Sequence, residues 1–168
     1  MKIKLQNVRL SYPSLFQTAT FGGEDTGKFE ATFILDKVEH ATAIAQIKAE
    51  SDRIQKEELK SKVAGDKLAL KDGDETDKPE LQGKMSIKAS TKKRPLVINR
   101  DKTPLAESDG VIYSGCYVNA IVSLWGQNNQ WGKRVNASLE GVQFAKDGEA
   151  FGTAGASVDE FDDFDDFL

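Results

Sequence analysis

Hydrophobic and polar residues alternate with a period of two over much of this chain, the signature of strands that bury one face. Phe29, Ala31, Phe33 and Leu35 alternate with Lys28, Glu30, Thr32 and Ile34, and Met85, Ile87 and Ala89 alternate with Ser86, Lys88 and Ser90. The longest such set is Cys116, Val118, Ala120, Val122 and Leu124, opposite Tyr117, Asn119, Ile121, Ser123 and Trp125. Val135, Ala137 and Leu139 continue the pattern, after which Val142 and Phe144 fall on the other parity. Gly141 stands at the switch and predicts a β-bulge. An early strand is expected from Ile3 to Leu10, and Trp125 to Trp131 reads as a hairpin with Gly126 to Gln130 as its turn.

One segment changes period. Val38, Ala41, Ile44, Ile47 and Ile54 recur at helical spacing, Asp36 and Glu39 stand at capping-box spacing, and Gly65 marks a stop after Lys62. Asp66 to Gly83 holds six acids and two glycines and reads as a solvated loop. The order of strand, strand, helix, further strands and closing hairpin predicts a mainly β fold: an OB-fold-like antiparallel barrel with one inserted α-helix. A β-sandwich satisfies the same alternation.

The end of the chain follows neither period. Gly148 to Gly155 has the composition of a flexible linker, followed by Phe161-Asp162-Asp163-Phe164-Asp165-Asp166-Phe167-Leu168, too poor in apolar surface to fold alone. The chain therefore divides into a folded domain over 1–147, a linker over 148–157 and a disordered acidic-aromatic C-terminal tail over 158–168. This division changes how the charge is read. The 168 residues carry a formal net charge of −4, which argues against a nucleic-acid partner. Six of the 27 acids are Asp159, Glu160, Asp162, Asp163, Asp165 and Asp166, so residues 1–156 hold 21 acids against 23 bases, a net charge of +2.

Several signatures of chemistry fail on inspection. Gly22 to Lys28 matches the first seven positions of a phosphate-binding P-loop, but Phe29 replaces the Ser or Thr that holds magnesium, and a strand follows instead of a helix. Asp72 to Asp77 resembles the start of a calcium loop, yet Asp77 stands where Gly is needed and Gly83 where the final acid is needed. His40, the single histidine, has no triad or metal partners and reads as a helix-surface residue. Cys116, the single cysteine, excludes an intramolecular disulfide and reads as a small buried hydrophobe. Asn136-Ala137-Ser138 matches a glycosylation acceptor without any sign of a secretory route. No apolar run approaches the ~20 residues that span a bilayer, and the alternating Met1 to Leu5 is unlike a signal peptide. The expectation is a non-enzyme with no cofactor, no metal and no membrane partner.

What survives is cationic and aromatic. Lys84, Lys88, Lys92, Lys93, Arg94, Arg100 and Lys102 face one acid, Asp101, giving a local charge of +6. Lys88 and Lys92 share the parity of Ser86 and Ser90, a strand face suited to tracking a phosphate chain or simply to meeting water. Tyr117 and Trp125 lie on the non-core parity, and Trp131 is followed by Lys133 and Arg134. Rings interleaved with cations suit sequence-tolerant binding of single strands, because every base has a face to stack, worth ~1–3 kcal/mol each. The two tryptophans could equally pack on one another across the hairpin. The expected phosphate contacts are Lys88, Lys92, Lys93, Arg94, Lys133 and Arg134, and the expected stacking rings are Tyr117, Trp125 and Trp131. Arg9 and Tyr12 are weaker candidates, Tyr12 sharing the parity of the core residues Val8 and Leu10. In the tail, the six carboxylates copy a phosphate chain while Phe161, Phe164 and Phe167 copy stacked bases, and the Phe167-Leu168 end suits docking into a partner protein.

These residues resemble a family: phage single-stranded DNA-binding proteins with an OB fold. The likeness is carried by Asn7-Val8-Arg9-Leu10-Ser11-Tyr12, by Lys93-Arg94-Pro95, and by the run from Tyr113 to Ala120 through Leu139-Glu140-Gly141-Val142-Gln143-Phe144, and covers nearly all of 1–152. The tail is similar to the acidic, Phe-ended tails of bacterial and podophage single-strand binding proteins, although it repeats Phe instead of ending in Pro-Phe. The resemblance implies a role in phage DNA replication, recombination or repair in the cytoplasm of the infected bacterial host. It implies single-stranded DNA as ligand, replication or recombination proteins as partners of the tail, and a homodimer as a permitted assembly. The rival reading is an interaction adaptor whose tail recruits partners on a barrel that binds no DNA.

Overall fold

A computed structural model describes residues 2–151. The expected tail and the linker from residue 152 onward lie outside the described residues. The strands are β1 (Lys2–Ser14), β2 (Thr20–Phe21), β3 (Glu24–Asp25), β4 (Phe29–Asp36), β5 (Leu70–Asp72), β6 (Lys84–Thr91), β7 (Leu96–Ile98), β8 (Tyr117–Asn129) and β9 (Gly132–Lys146). One helix, α1 (Ala41–Arg53), connects β4 to the β5–β6 region.

Five strands close on themselves. β1 pairs antiparallel with β4 and β8, β4 with β6, and β8 with β9. A short parallel seam, Ala89 opposite Ala137 and Ser90 opposite Ser138, joins β6 to β9 and completes the ring. Closure removes the exposed edges of an open sheet and defines an OB-like barrel, not a sandwich. β5 and β7 are short outer strands on β6 and β9.

The barrel interior is filled from the parities read above. Phe33, Leu35, Ile87, Ala89, Cys116, Val118, Val122, Val135 and Leu139 are all buried. Two bulges keep the apolar residues inward over long strands. In β1, Leu5 faces Ala120 and Val8 faces Val118, so Gln6 and Asn7 together oppose Asn119. The inward set thus switches from Ile3 and Leu5 to Val8 and Leu10. Asn7 takes φ +54° there, and its N–H donates to Asn119 Oδ1 at 2.9 Å. In β9, Ile121 faces Gly141 and Val122 faces Leu139, leaving Glu140 as the extra residue beside the expected glycine.

The helix lays Ile44 and Ile47 on the barrel, and Ile54 continues the stripe into a wider turn over Ile54–Glu58. Ile54 Cγ2 would lie 2.9 Å from a Cβ at position 126, so Gly126 is where the chain end of the helix plugs the barrel. Val38 is 86% exposed and does not join the stripe, and the helix ends near Leu59, short of Lys62, where Lys60 turns to φ +51°. Asp36 still organises the entry: its Oδ1 accepts the N–H groups of Val38 and Glu39. His40 is no solvated surface residue. Its Nδ1 accepts the Asp36 N–H at 2.8 Å and its Nε2 lies 3.1 Å from both the Gln6 and Asn7 carbonyls, tying the helix start to the β1 bulge.

The hairpin is tighter than its composition suggested. Gly126 to Asn129 remain paired with Val135 to Gly132, so only Gln130 and Trp131 form the turn. Trp125 consequently faces Asn136, not Trp131, and the two rings are not a cross-strand pair. The failed P-loop segment is the small β2–β3 hairpin, turned by Gly22 and Gly23 at φ +60° and +84°. The acidic loop contributes β5, whose Lys71 pairs with Ser86.

Candidate nucleic-acid interface

A groove of about 270 Å³ runs along the outside of the β6–β9 seam. Its floor is built by alternation: with Ile87, Ala89, Val135 and Ala137 committed to the interior, Lys88, Ser90, Arg134 and Asn136 must face out. β8 adds Trp125 and Gln127, and the Gln127 Oε1 accepts a hydrogen bond from Asn136 Nδ2 at 2.9 Å. The segment Asp66 to Ala69 and Lys71 form one wall, while Lys28, at the foot of β4, closes the other end. Five cations (Lys28, Lys67, Lys71, Lys88 and Arg134) therefore share the groove with one acid, Asp66.

Lys71 is the groove cation whose charge is disfavoured in the free protein. Burial, with a further push from nearby Arg134, lowers the pKa of Lys71 despite the opposing Asp66. The Lys71 ammonium donates to the Gly65 carbonyl at 3.3 Å and to that of Asp66. Lys88 is steadied by Glu30 at 3.3 Å, an exposed pair of small net worth that an incoming phosphate can displace. Trp125 offers 46% of its surface above this floor. Trp131 stands at the hairpin tip, 75% exposed, held by its own N–H donating to Asn129 Oδ1. Lys67 reaches toward the same tip, its Nζ 4.0 Å from where a Gly132 side chain would begin.

Of the residues that the sequence singled out, the fold brings Lys88, Trp125 and Arg134 together in the groove, while Trp131 stands apart at the hairpin tip. Lys92 and Lys93 are exposed in the turn after β6. Lys133 lies beside the groove, but its ammonium donates to the Leu59 carbonyl at 2.8 Å. Arg94 donates to the Phe16 carbonyl at 3.2 Å, in the neighbourhood of Leu105 and Pro104. Three groove cations were missed. Lys28 was set aside with the failed P-loop, and Lys67 and Lys71 were hidden in a segment read for its acids. Their strict i, i+4 spacing before an alternating strand was a faint signal.

Arg9 and Tyr117 form a separate cluster at the far end of β8. The Arg9 guanidinium lies 4.0 Å from the Phe151 ring centroid and 5.9 Å from that of Tyr117, and donates to the Gly115 and Glu149 carbonyls. Lys146 Nζ stands 4.9 Å from the Tyr117 ring. The first residues of the expected linker are thus held against the barrel: Tyr113 Oη donates to the Gly148 carbonyl and accepts the Gly148 N–H, and the Phe151 N–H donates to the Ser114 carbonyl. Tyr12, a weaker candidate because it shares the parity of Val8 and Leu10, is 69% exposed. An irregularity between Ser11 and Ser14 and φ +44° at Tyr12 rotate its side chain out of the inward set. Cys116 is fully buried, and burial raises its thiol pKa.

In OB-like barrels the face of the second and third strands, flanked by the loops after the first and fourth, is the surface used for oligonucleotides and oligosaccharides. Here those strands are β4 and β6, the loops carry Lys28 and Trp131, and the seam groove adjoins that face through β6, so the chain is an OB-like barrel domain. A family model described as Enterobacter phage Enc34, ssDNA-binding protein, matches residues 1–168, and the chain belongs to this family. It is 42% identical over 174 residues to protein p50 of Acyrthosiphon pisum secondary endosymbiont phage 1, covering 97% of this chain and 94% of that protein. The single-stranded DNA-binding protein from bacteriophage Enc34, solved in complex with ssDNA, superposes with a TM-score of 0.81 at 38% identity, covering 90% of this chain and 89% of that one. Gp2.5, a single-stranded DNA-binding protein encoded by bacteriophage T7, shares the fold at a TM-score of 0.57 and 15% identity over 97% of this chain and 93% of that one.

Proposed function

We propose that this protein binds single-stranded DNA without sequence preference and without catalysis, in the cytoplasm of an infected bacterium, in support of phage replication, recombination or repair. The observation that carries this reading is the groove on the β6–β9 seam, where five cations and Trp125 line one continuous surface. Lys28, Lys67, Lys71, Lys88 and Arg134 neutralise successive phosphates, while Trp125 and Trp131 stack bases. Lys92 and Lys93 extend the cationic track beyond β6. Arg9, Tyr12, Arg94, Tyr117 and Lys133 lie off this track and serve as secondary contacts. Family membership and the ssDNA complex of the Enc34 protein support the assignment.

The tail acts on the same surface. Its six carboxylates and three phenylalanines imitate the ligand, compete with DNA for the cations and, once displaced, recruit replication or recombination proteins. The test is tryptophan fluorescence during titration with poly-dT. Quenching that weakens steeply with salt is expected, and removing 157–168 tightens binding at low salt. Absence of quenching and of any gel shift with single-stranded DNA would refute the assignment.

A further inference from the structure

A second concavity, of about 340 Å³, lies on the outer face of β1, β8, β9 and β7. Leu96, Ile98 and Ile121 wall it, Gly141 forms its floor, and Lys4 stands at its rim; among the described residues no acid lines it. Leu96 is 61% exposed on the short edge strand β7, an apolar surface that the barrel does not need for its own core. We propose that this pocket is the anchoring site of the chain's own C-terminal tail, which docks Phe161 between Leu96 and Ile121 and sets the adjoining carboxylates beside Lys4.

Three observations carry this. The first is where the chain leaves the barrel. Gly148 packs on the Tyr117 ring, 2.9 Å from Cε2 to the position of its absent Cβ, and Phe151 is clamped on Arg9. Tyr117, Asn119 and Ile121 share one face of β8, so the pocket begins one side chain along from the exit. Ile121 is four residues from Tyr117, about 14 Å along the strand, and Trp125 is eight residues away, about 27 Å. The second is length. Phe161 lies ten residues on from Phe151, a span of at most ~33–36 Å, more than enough for the pocket. The third is chemistry. A site with apolar walls and a lysine rim complements a phenylalanine followed by two aspartates.

Anchoring also supplies a register. With Phe161 at Ile121, the five residues Asp162 to Asp166 extend up to ~17 Å, enough to reach Trp125, about 14 Å further along β8, and to end just short of Arg134, which stands on β9 opposite Gln127, about 20 Å along. The pocket thus aligns the acids with the DNA groove without itself being part of it. This inference rests on the competition between tail and DNA described above.

The direct test is carbodiimide coupling in the full-length protein without DNA, which joins a lysine to a carboxylate in contact with it, mapped by mass spectrometry. The expected product is an intramolecular link from Lys4 to Asp162 or Asp163, lost in Leu96→Glu. Tail links confined to Lys28, Lys67, Lys71 and Lys88, or no tail link, would overturn the pocket. Links between differently isotope-labelled molecules would overturn it in favour of a second copy's tail. In parallel, Leu96→Glu should tighten poly-dT binding at low salt by about threefold, the factor for a tail docked about two-thirds of the time. The substitution should change nothing in a full-length chain whose six tail acids are replaced by their amides. If amide replacement tightens binding and Leu96→Glu does not, the pocket fails and competition stands. If amide replacement has no effect, the competition reading fails as well.

Discussion

Replacing Arg134 with Gln removes one of the five groove cations while preserving length and polarity, and its consequence can be worked out in advance. Single-stranded DNA releases ~0.7 counterion per neutralised phosphate, so five contacts give a slope of log K against log salt of about −3.5. Between 50 and 200 mM salt, affinity should then fall about 130-fold, the fourfold salt change raised to that power. With four contacts the slope becomes about −2.8 and the fall about 50-fold. Arg134 is exposed on β9 beside buried Val135, so its loss leaves the core untouched and a melting curve should be unchanged. The assay is tryptophan quenching by an oligo-dT of fixed length at five or more salt concentrations. A reduction of about 0.7 in slope is expected. A variant that loses affinity by the same factor at every salt concentration, with its slope intact, would show that Arg134 contacts no phosphate.

Further outcomes follow from the same geometry. Trp125→Ala should weaken poly-dT binding by ~1–3 kcal/mol with little change in salt slope, since it removes stacking and not charge; competition binding with a labelled oligonucleotide reads both. Because burial and Arg134 depress Lys71 in the free protein, a nearby phosphate should raise its pKa on binding. Binding then takes up protons and weakens as pH rises through the free-state value, an effect that Lys71→Gln should abolish in titrations at alkaline pH. The Asp36 carboxylate is held far below its ordinary range, first by Lys84 and then by the Glu39 and Val38 N–H groups. A depressed carboxyl stabilises the fold above its unfolded pKa of ~3.9 and loses that contribution as pH falls toward its folded value, so melting temperatures of wild type and Asp36→Asn should converge in acid. At position 115 a Cβ would meet the Glu149 carbonyl at 2.2 Å, and φ is +111°. Gly115→Ala should release residues 147–151 from the barrel, seen as faster proteolysis after Lys146 without loss of the cooperative melt.

The strands were legible in sequence because burial on one face forces alternation, and Phe33, Ile87, Val118 and Val135 kept that face. Gly141 was legible as a bulge because parity breaks there in full view. The bulge at Gln6 and Asn7 was less visible, since a left-handed asparagine and a hydrogen bond to Asn119, 112 residues away, make it. At Tyr12 the two readings that parity left open, core or surface, were decided by the backbone: parity holds only while the strand stays regular, and φ +44° ends it. The site was half legible. Lys88, Trp125 and Arg134 announced themselves as cations and rings on outward parity. Lys67 and Lys71 did not, because only closure of β6 on β9 sets the wall they belong to over the floor those residues make. The net charge of −4 concealed a cationic groove because the acids that outweigh it are concentrated in six residues near one end.

Single-stranded DNA should run along the β6–β9 seam past Trp125 and Trp131. Ultraviolet cross-linking of full-length protein to oligo-dT, with adducts mapped by mass spectrometry, tests it most directly. Thymine adducts on Trp125 and Trp131, suppressed by excess unlabelled single strand, are the expected result. Adducts confined to Tyr12, Tyr117 or the Leu96 face, with both tryptophans unmodified, would contradict it.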